Sequence, residues 1–430
     1  MSFFRFFKDE SYRKLYLIFI FLAIISFIFG FIYRENAGGG GQIDLAYEWK
    51  NHLLLKQNLL NFIYDPHSYT GARIPLYQIL SIFFNPYTDN ITSYLNYFFL
   101  YSFLIPILFF FSINKNYKKI NIKYKLLLCS VIFLSPYFRT SSFWGLQENL
   151  AYIFMFISYL IHKNNLSFKE NKIRIFFLSF SSCAAFYSDQ KFIFLPIYFF
   201  LDLIKFFPIK NFKLRIYKIY ILILFLIFSL PSIYIFWHWG GVVPPVLHAR
   251  LNSVNYFSLI NFFQVFTFYL MPLLITNENF LSEIKNFVIK KRIVITLYSL
   301  IFSFFFIFFD TTFLTGGGWL HKIYLYFYPN KFFLLIYYIL SIISLIIFYY
   351  FLKFIKNDKK NYVIIFFLIL IALFSNPFFQ EYFDPLIFIL MILFFNRNNF
   401  LRFDLLKISF YYFFYVVLLV FSILYYSFKP

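Results

Sequence analysis

Charge in this chain is sorted by position. Long apolar runs recur from end to end, and the polar gaps between them alternate in sign balance. With the gaps taken in order and the N-terminus placed inside, the inside gaps carry the whole net charge of +21. The outside gaps hold as many acids as bases and cancel. This is the positive-inside bias of a multi-pass membrane protein, read with its helices in register. One miscounted helix would exchange the faces for every later gap and smear the asymmetry. The expected fold class is therefore all-α: a polytopic integral membrane protein forming a single transmembrane domain over residues 1–430.

Composition excludes several classes. The chain is 61% hydrophobic and only 13% charged, far from the average of soluble domains. Its lysines are spread over short inside segments, so they point to anionic lipid headgroups and not to nucleic acid. Cys129 and Cys183 both fall in apolar runs and form no disulfide framework.

About thirteen spans are expected, roughly 15–33, 92–113, 125–138, 146–162, 173–187, 190–206, 219–237, 257–275, 293–309, 332–352, 362–375, 384–396 and 408–427. The first follows Arg5, Lys8, Arg13 and Lys14 and reads as a signal anchor with the N-terminus in the cytoplasm. The runs 173–187 and 361–375 are short against the roughly twenty residues of a full crossing. Their outer ends are expected to stop below the membrane surface, around a cavity open to the outside. Ser188–Lys191 and Gln380–Asp384 would lie near its floor.

The largest outside loop, residues 34–91, is too polar to span. Its four glycines, Gly38 to Gly41, read as a flexible hinge. Gln42 to Tyr64 reads as an amphipathic helix at the membrane surface, with Leu45, Trp49, Leu53 and Leu60 on one side. Ile74 to Phe84 reads as a second interfacial helix.

Candidate chemistry collects on the outside, and the span interiors hold almost no ionisable groups. A charge near the bilayer centre costs about 2.5–3.5 kcal/mol, and carriers keep such groups where ions or substrates pass. Their scarcity speaks against a proton- or ion-coupled carrier; a transporter or flippase of lipid-linked sugars, which would need a polar path through the spans, is the alternative from another class. Asp44 and Glu48, spaced i, i+4, share a helix face. One carboxylate over a cavity serves as a general base for an acceptor hydroxyl. The other orients the acceptor or helps to hold Mg²⁺ or Mn²⁺. The competing account is a solvated polar face. Arg250 and Lys322 lie in two loops that each combine glycines, a Trp and a His. Together with Arg73 they are candidates to hold a donor phosphate, whose charge grows as its bond to the sugar breaks. The alternative for each is a cation reaching for headgroups. His248, His321, Trp319, Asp189, Lys191 and Glu381 complete the candidate substrate pocket. Arg139 and Glu148 are expected to form a buried pair bracing their loop, and Asp65-Pro66-His67 a turn. The histidines show no metal-ligand spacing, so no zinc site is expected.

The pattern resembles the polytopic GT-C superfamily of glycosyltransferases, which use polyprenyl-phosphate-linked sugars. Gln42-Ile43-Asp44 to Glu48 sits where that family places its acidic motif, just after the first span. Arg73-Ile74-Pro75-Leu76-Tyr77 is similar to its Pro-rich segment before the second span, and Gln380–Pro385 to a late loop. The resemblance implies a transferase in the bacterial inner (plasma) membrane, acting at the extracytoplasmic face. It would move a sugar from a polyprenyl-phosphate donor to a glycan, lipid or protein acceptor. Asp44 would be the base, and Arg250 or Lys322 would face the lipid phosphate. The acids here are neither adjacent nor Asp-x-Asp, which leaves metal dependence and the choice between Asp44 and Glu48 open. An O-antigen-type polymerase or ligase is the neighbouring reading, although those enzymes carry their largest outside loop late in the chain.

Overall fold

The computed structural model describes residues 13–85, 89–163, 172–206, 212–248, 256–277, 279–308, 316–317, 331–355, 359–375, 378–395 and 405–428. It is nearly all helical. The helices are α1 Arg13–Ile32, α2 Gly41–Gln57, α3 Asn61–Tyr64, α4 Leu76–Phe84, α5 Ile91–Ser102, α6 Leu104–Asn116 and α7 Ile122–Leu134. They continue with α8 Pro136–Trp144, α9 Glu148–Lys163, α10 Lys172–Ser188, α11 Phe194–Phe206, α12 Phe212–Trp239 and α13 Tyr256–Ile275. The last are α14 Phe280–Lys290, α15 Arg292–Phe308, α16 Lys331–Ile355, α17 Asn361–Phe374, α18 Leu386–Leu393 and α19 Leu405–Phe428. Two-residue strands, β1 Gly316–Gly317 and β2 Phe378–Phe379, pair in parallel.

Among the described residues, five helical stretches are long and apolar enough to cross a membrane: Ile91–Asn116, Ile216–Trp239, Phe257–Ile275, Leu335–Ile355 and Leu406–Tyr426. A sixth is counted if α7 and α8 form one broken span, because the two meet at 65°. The expected span over 125–138 is thus broken at Ser135. Pro136 offers no N–H to continue α7, and Ser135 leaves the helical region to cap α8 by accepting from the Phe138 amide at 3.1 Å.

The expected span over 384–396 is also revised. The helix there, α18, has 8 residues, all buried, and reaches only about 12 Å at 1.5 Å per residue. Its residues belong to the buried apolar core and pack against α6 and α13. A buried helix end needs partners for its last carbonyls. Tyr117 and Tyr159 hydroxyls donate to Ile392 O and Leu393 O at 3.2 and 3.0 Å. Asn116 and Asn361 amides donate to Leu393 O and Phe394 O, each at 3.2 Å. Beside its other end, Asp384 accepts from Ser135 Oγ at 2.6 Å and Tyr415 OH at 2.8 Å.

The glycine run is a built turn and not a hinge. The Gly38 amide donates to Thr140 Oγ1 at 2.6 Å, and Gly39 and Gly40 adopt φ of +76° and +78°. A Cβ on Gly39 would fall 2.3 Å from the Tyr426 ring. Glycine here supplies both the left-handed conformation and the room. The surface stripe expected on the next helix is only half present. Leu45 is buried whereas Leu53, on the same helix, is exposed, and Leu60 lies beyond the end of α2 at Gln57.

Arg139 does not pair with Glu148. Its guanidinium grips Glu35 with two bonds, Nε to Oε1 at 2.7 Å and Nη2 to Oε2 at 2.5 Å. It also donates to Ser26 O at 2.8 Å and Phe133 O at 3.1 Å, so one side chain ties α1, α7 and α8 together. Gly30 makes room for it: a Cβ there would sit 2.3 Å from Arg139 Nη2. Gly30→Ala is therefore expected to destabilise the fold by about 1–3 kcal/mol, read as a lower midpoint in thermal unfolding of the detergent-solubilised protein.

Candidate functional site

A cavity of about 570 Å³ opens where the glycine turn, α2, the stretch before α4, the start of α9 and the loop after α17 converge. Its floor is charged. Asp44, Glu48, Arg73, Glu148 and Glu381 line it, together with the Tyr382 and Tyr426 side chains. Its rim includes Ile43, Tyr47 and Val246, which are exposed. Most of the contributing segments come from gaps that the charge pattern assigns to one side of the membrane, and Leu146, Glu148 and Tyr426 come from the ends of the expected spans 146–162 and 408–427.

Helical spacing carries Asp44 and Glu48 into the same space, one turn apart on α2. Their surroundings differ. Glu48 is buried and accepts from the Gln147 amide at 2.8 Å and from the Gln78 amide. Burial raises its pKa most; Glu148 and Asp44 add to the rise, Arg73 and Gln147 oppose it, and the result is about 7. Asp44 is half-buried and makes no side-chain hydrogen bond among the described residues. Burial, then the charge of Glu148, pushes it up to about 6 against the pull of Arg73. Glu381 is pushed highest, to about 8, by burial and by the charges of Asp44 and Glu148.

Arg73 is the electrostatic centre. It meets Glu148 at 2.5 Å and Asp189 at 3.5 Å, and Lys191 meets the same Asp189 oxygen at 3.1 Å. The local Asp189–Lys191 contact is thus part of a larger chain of charges. Burial disfavours the Asp189 carboxylate, but Lys191 and Arg73 outweigh it and hold its pKa below the ordinary value. Because two carboxylates already meet the Arg73 guanidinium, an incoming phosphate competes with them. Tyr69 OH donates to Arg73 O at 2.7 Å, and the Gln190 amide to Ala72 O at 2.9 Å, so the arginine is also fixed through its backbone.

The other expected pocket residues divide. His248 turns back onto its own loop, with Nε2 3.0 Å from Val243 O, while its neighbours Val246 and Leu247 line the cavity. Arg250, Trp319, His321 and Lys322 lie outside the described residues. Of the described residues nearest to them in sequence, Val246 and Leu247 line the cavity, and Gly317 pairs with the lining residue Phe379. The turn expected at Asp65-Pro66-His67 is present, with Ser68 N bonded to Asp65 O at 3.1 Å. Sequence reasoning missed Glu148 as a partner of Arg73, and missed Gln78, Gln147 and Tyr426 as members of the site, whereas Tyr382 lies in the segment expected near the cavity floor. Only the i, i+4 acids left a local signal. Among the described residues no group of three His, Cys, Asp or Glu side chains is placed to hold a metal ion.

The pKa of Glu48 has a consequence for stability. A carboxyl raised from 4.5 to about 7 is more protonated in the folded chain than in the unfolded one. Stability therefore falls as pH rises through that window, by about 3 kcal/mol at 1.36 kcal/mol per unit. Glu48→Gln is expected to flatten the decline of the unfolding midpoint between pH 5 and pH 8. An unchanged slope would remove Glu48 as its source.

Comparison with protein-family models, with curated proteins and with solved structures returns no match. The functional argument rests on the cavity.

Proposed function

We propose that this chain is a membrane glycosyltransferase. It would move a sugar from a polyprenyl-phosphate-linked donor to a glycan, lipid or protein acceptor at the extracytoplasmic face of a bacterial plasma membrane. In this reading the helices cross the membrane many times in a GT-C-like arrangement, with shorter helices packed between the full crossings. The carrying observation is that Asp44 and Glu48 share one cavity with Arg73, and that their carboxyls are raised toward neutral pH.

Asp44 is the base in this proposal, because it lines the cavity without a hydrogen bond of its own among the described residues. The acceptor hydroxyl approaches its carboxylate. As the acceptor oxygen bonds to the anomeric carbon, the proton passes to Asp44 and the carbon–oxygen bond to the phosphate breaks. The electron pair leaves with the phosphate, and attack from the opposite face inverts the anomeric centre. Glu48, caged by two glutamine amides, orients the acceptor. Glu381, neutral at pH 7, donates a hydrogen bond. Burial and Glu148 raise the Asp44 pKa and Arg73 opposes them, and at about 6 Asp44 is mostly ionised at pH 7. A cation beside the leaving phosphate would stabilise its growing charge, a role that the sequence pattern suggests for Arg250 or Lys322, both outside the described residues. An apolar rim above a charged floor suits a lipid-linked polar group.

Mass spectrometry of surface glycans from cells with and without the gene tests the reading, alongside transfer in vesicles carrying a polyprenyl-phosphate sugar. A missing sugar and in vitro transfer support it. Unchanged glycans, or translocation of the lipid-linked sugar without transfer, overturn it.

A further inference from the structure

A second cavity, of about 770 Å³, lies between α14, α16 and the start of α17. Its wall carries Lys290, Lys291 and Lys353 against a single acid, Glu283. That acid is already engaged, since the Tyr350 hydroxyl donates to it. None of the three lysines has a carboxylate partner among the described residues. Lys353 is instead held over the rings of Tyr350 and Phe354, at 5.7 and 6.0 Å from their centroids. Phe287 and Tyr349, with centroids 5.1 Å apart, form an aromatic wall beneath the charges.

The surroundings say what kind of molecule this is for. α14 has no buried residue and exposes Leu281 and Ile289. Directly after it, α15 exposes Ile293, Leu297, Leu300 and Ile301 in its first ten residues. Cations at one end of an apolar helical surface match a phosphate at one end of acyl chains. The gaps containing these lysines belong to the cation-rich set of the sequence pattern, the side that faces anionic lipid.

We infer that this cavity is a binding site for the headgroup of an anionic phospholipid, with the phosphate between Lys290, Lys291 and Lys353 and the acyl chains along α15. The site is separate from the cavity around Arg73, and it stands whatever reaction that cavity performs.

The test uses the full chain in detergent, measured by native mass spectrometry with added phosphatidylglycerol, with phosphatidylcholine, and with inorganic phosphate alone. Phosphatidylglycerol is expected to be retained and phosphatidylcholine not. The Lys290→Gln/Lys291→Gln/Lys353→Gln variant is expected to lose retention by about fivefold per lysine removed. A charge-matched control, Lys118→Gln/Lys119→Gln/Lys123→Gln, should retain the lipid. Equal loss in the control would mean diffuse surface attraction and overturn the site. So would equal retention of phosphatidylcholine, or phosphate alone binding as well as the lipid. If the triple variant does not fold, each single Lys→Gln change is expected to lower retention about fivefold, and no loss in any of them is equally fatal.

Discussion

Asp44→Asn is expected to lower sugar transfer in vesicles by about 10²–10⁴-fold while leaving the protein folded and inserted. Asparagine keeps the shape of the side chain and cannot take the acceptor proton. In the intact protein, activity should rise with pH around a midpoint of about 6, because Asp44 accepts a proton only when ionised. The sign of a second change is also fixed. Arg73 pulls the Asp44 pKa down, so Arg73→Gln should move that midpoint upward. Glu48→Gln should cost less than Asp44→Asn, since its role is to orient. If both acid variants transferred at full rate, the proposed mechanism would be wrong. If only Glu48→Gln were inactive, the base would be reassigned to Glu48 and the midpoint would lie near 7.

Arg139→Met is expected to be the most damaging structural change, at about 3–5 kcal/mol. Arg139 is nearly fully buried and holds Glu35 with two short bonds. Removing it strands the Glu35 carboxylate and frees two backbone carbonyls, Ser26 O and Phe133 O. The glycine turn beside the cavity follows Glu35 within a few residues, so the site should loosen with the anchor. Arg139→Met/Glu35→Gln is expected to regain part of the loss, because the stranded charge is then gone. A single variant that unfolds within 1 kcal/mol of the parent would show that this anchor does not hold the helices together.

Much of the architecture was legible before any coordinates. Apolar runs mark most of the helices, and the two short runs around Ser188–Lys191 and Gln380–Asp384 do end beside the charged cavity. Where the reading failed, a local pattern was ambiguous. A run such as Leu386–Leu393 looks the same whether it crosses lipid or is wrapped by other helices, because both surroundings are apolar. Ser135-Pro136 was visible, but a proline inside a long apolar run permits a kink or a full break. Arg139 had two acids within reach of a plausible loop, and sequence distance favoured the wrong one.

From the sequence alone came the helical class, the two-sided charge pattern and the placement of Asp44 and Glu48 on one face, since each depends on periodicity or on neighbouring residues. Tertiary structure decided which acid meets which base, that Gln78 and Gln147 cage Glu48, and that the last helix brings Tyr426 to the first loop. These are contacts between residues tens to hundreds of positions apart. They are selected by the packing of whole helices, which no short window of sequence encodes.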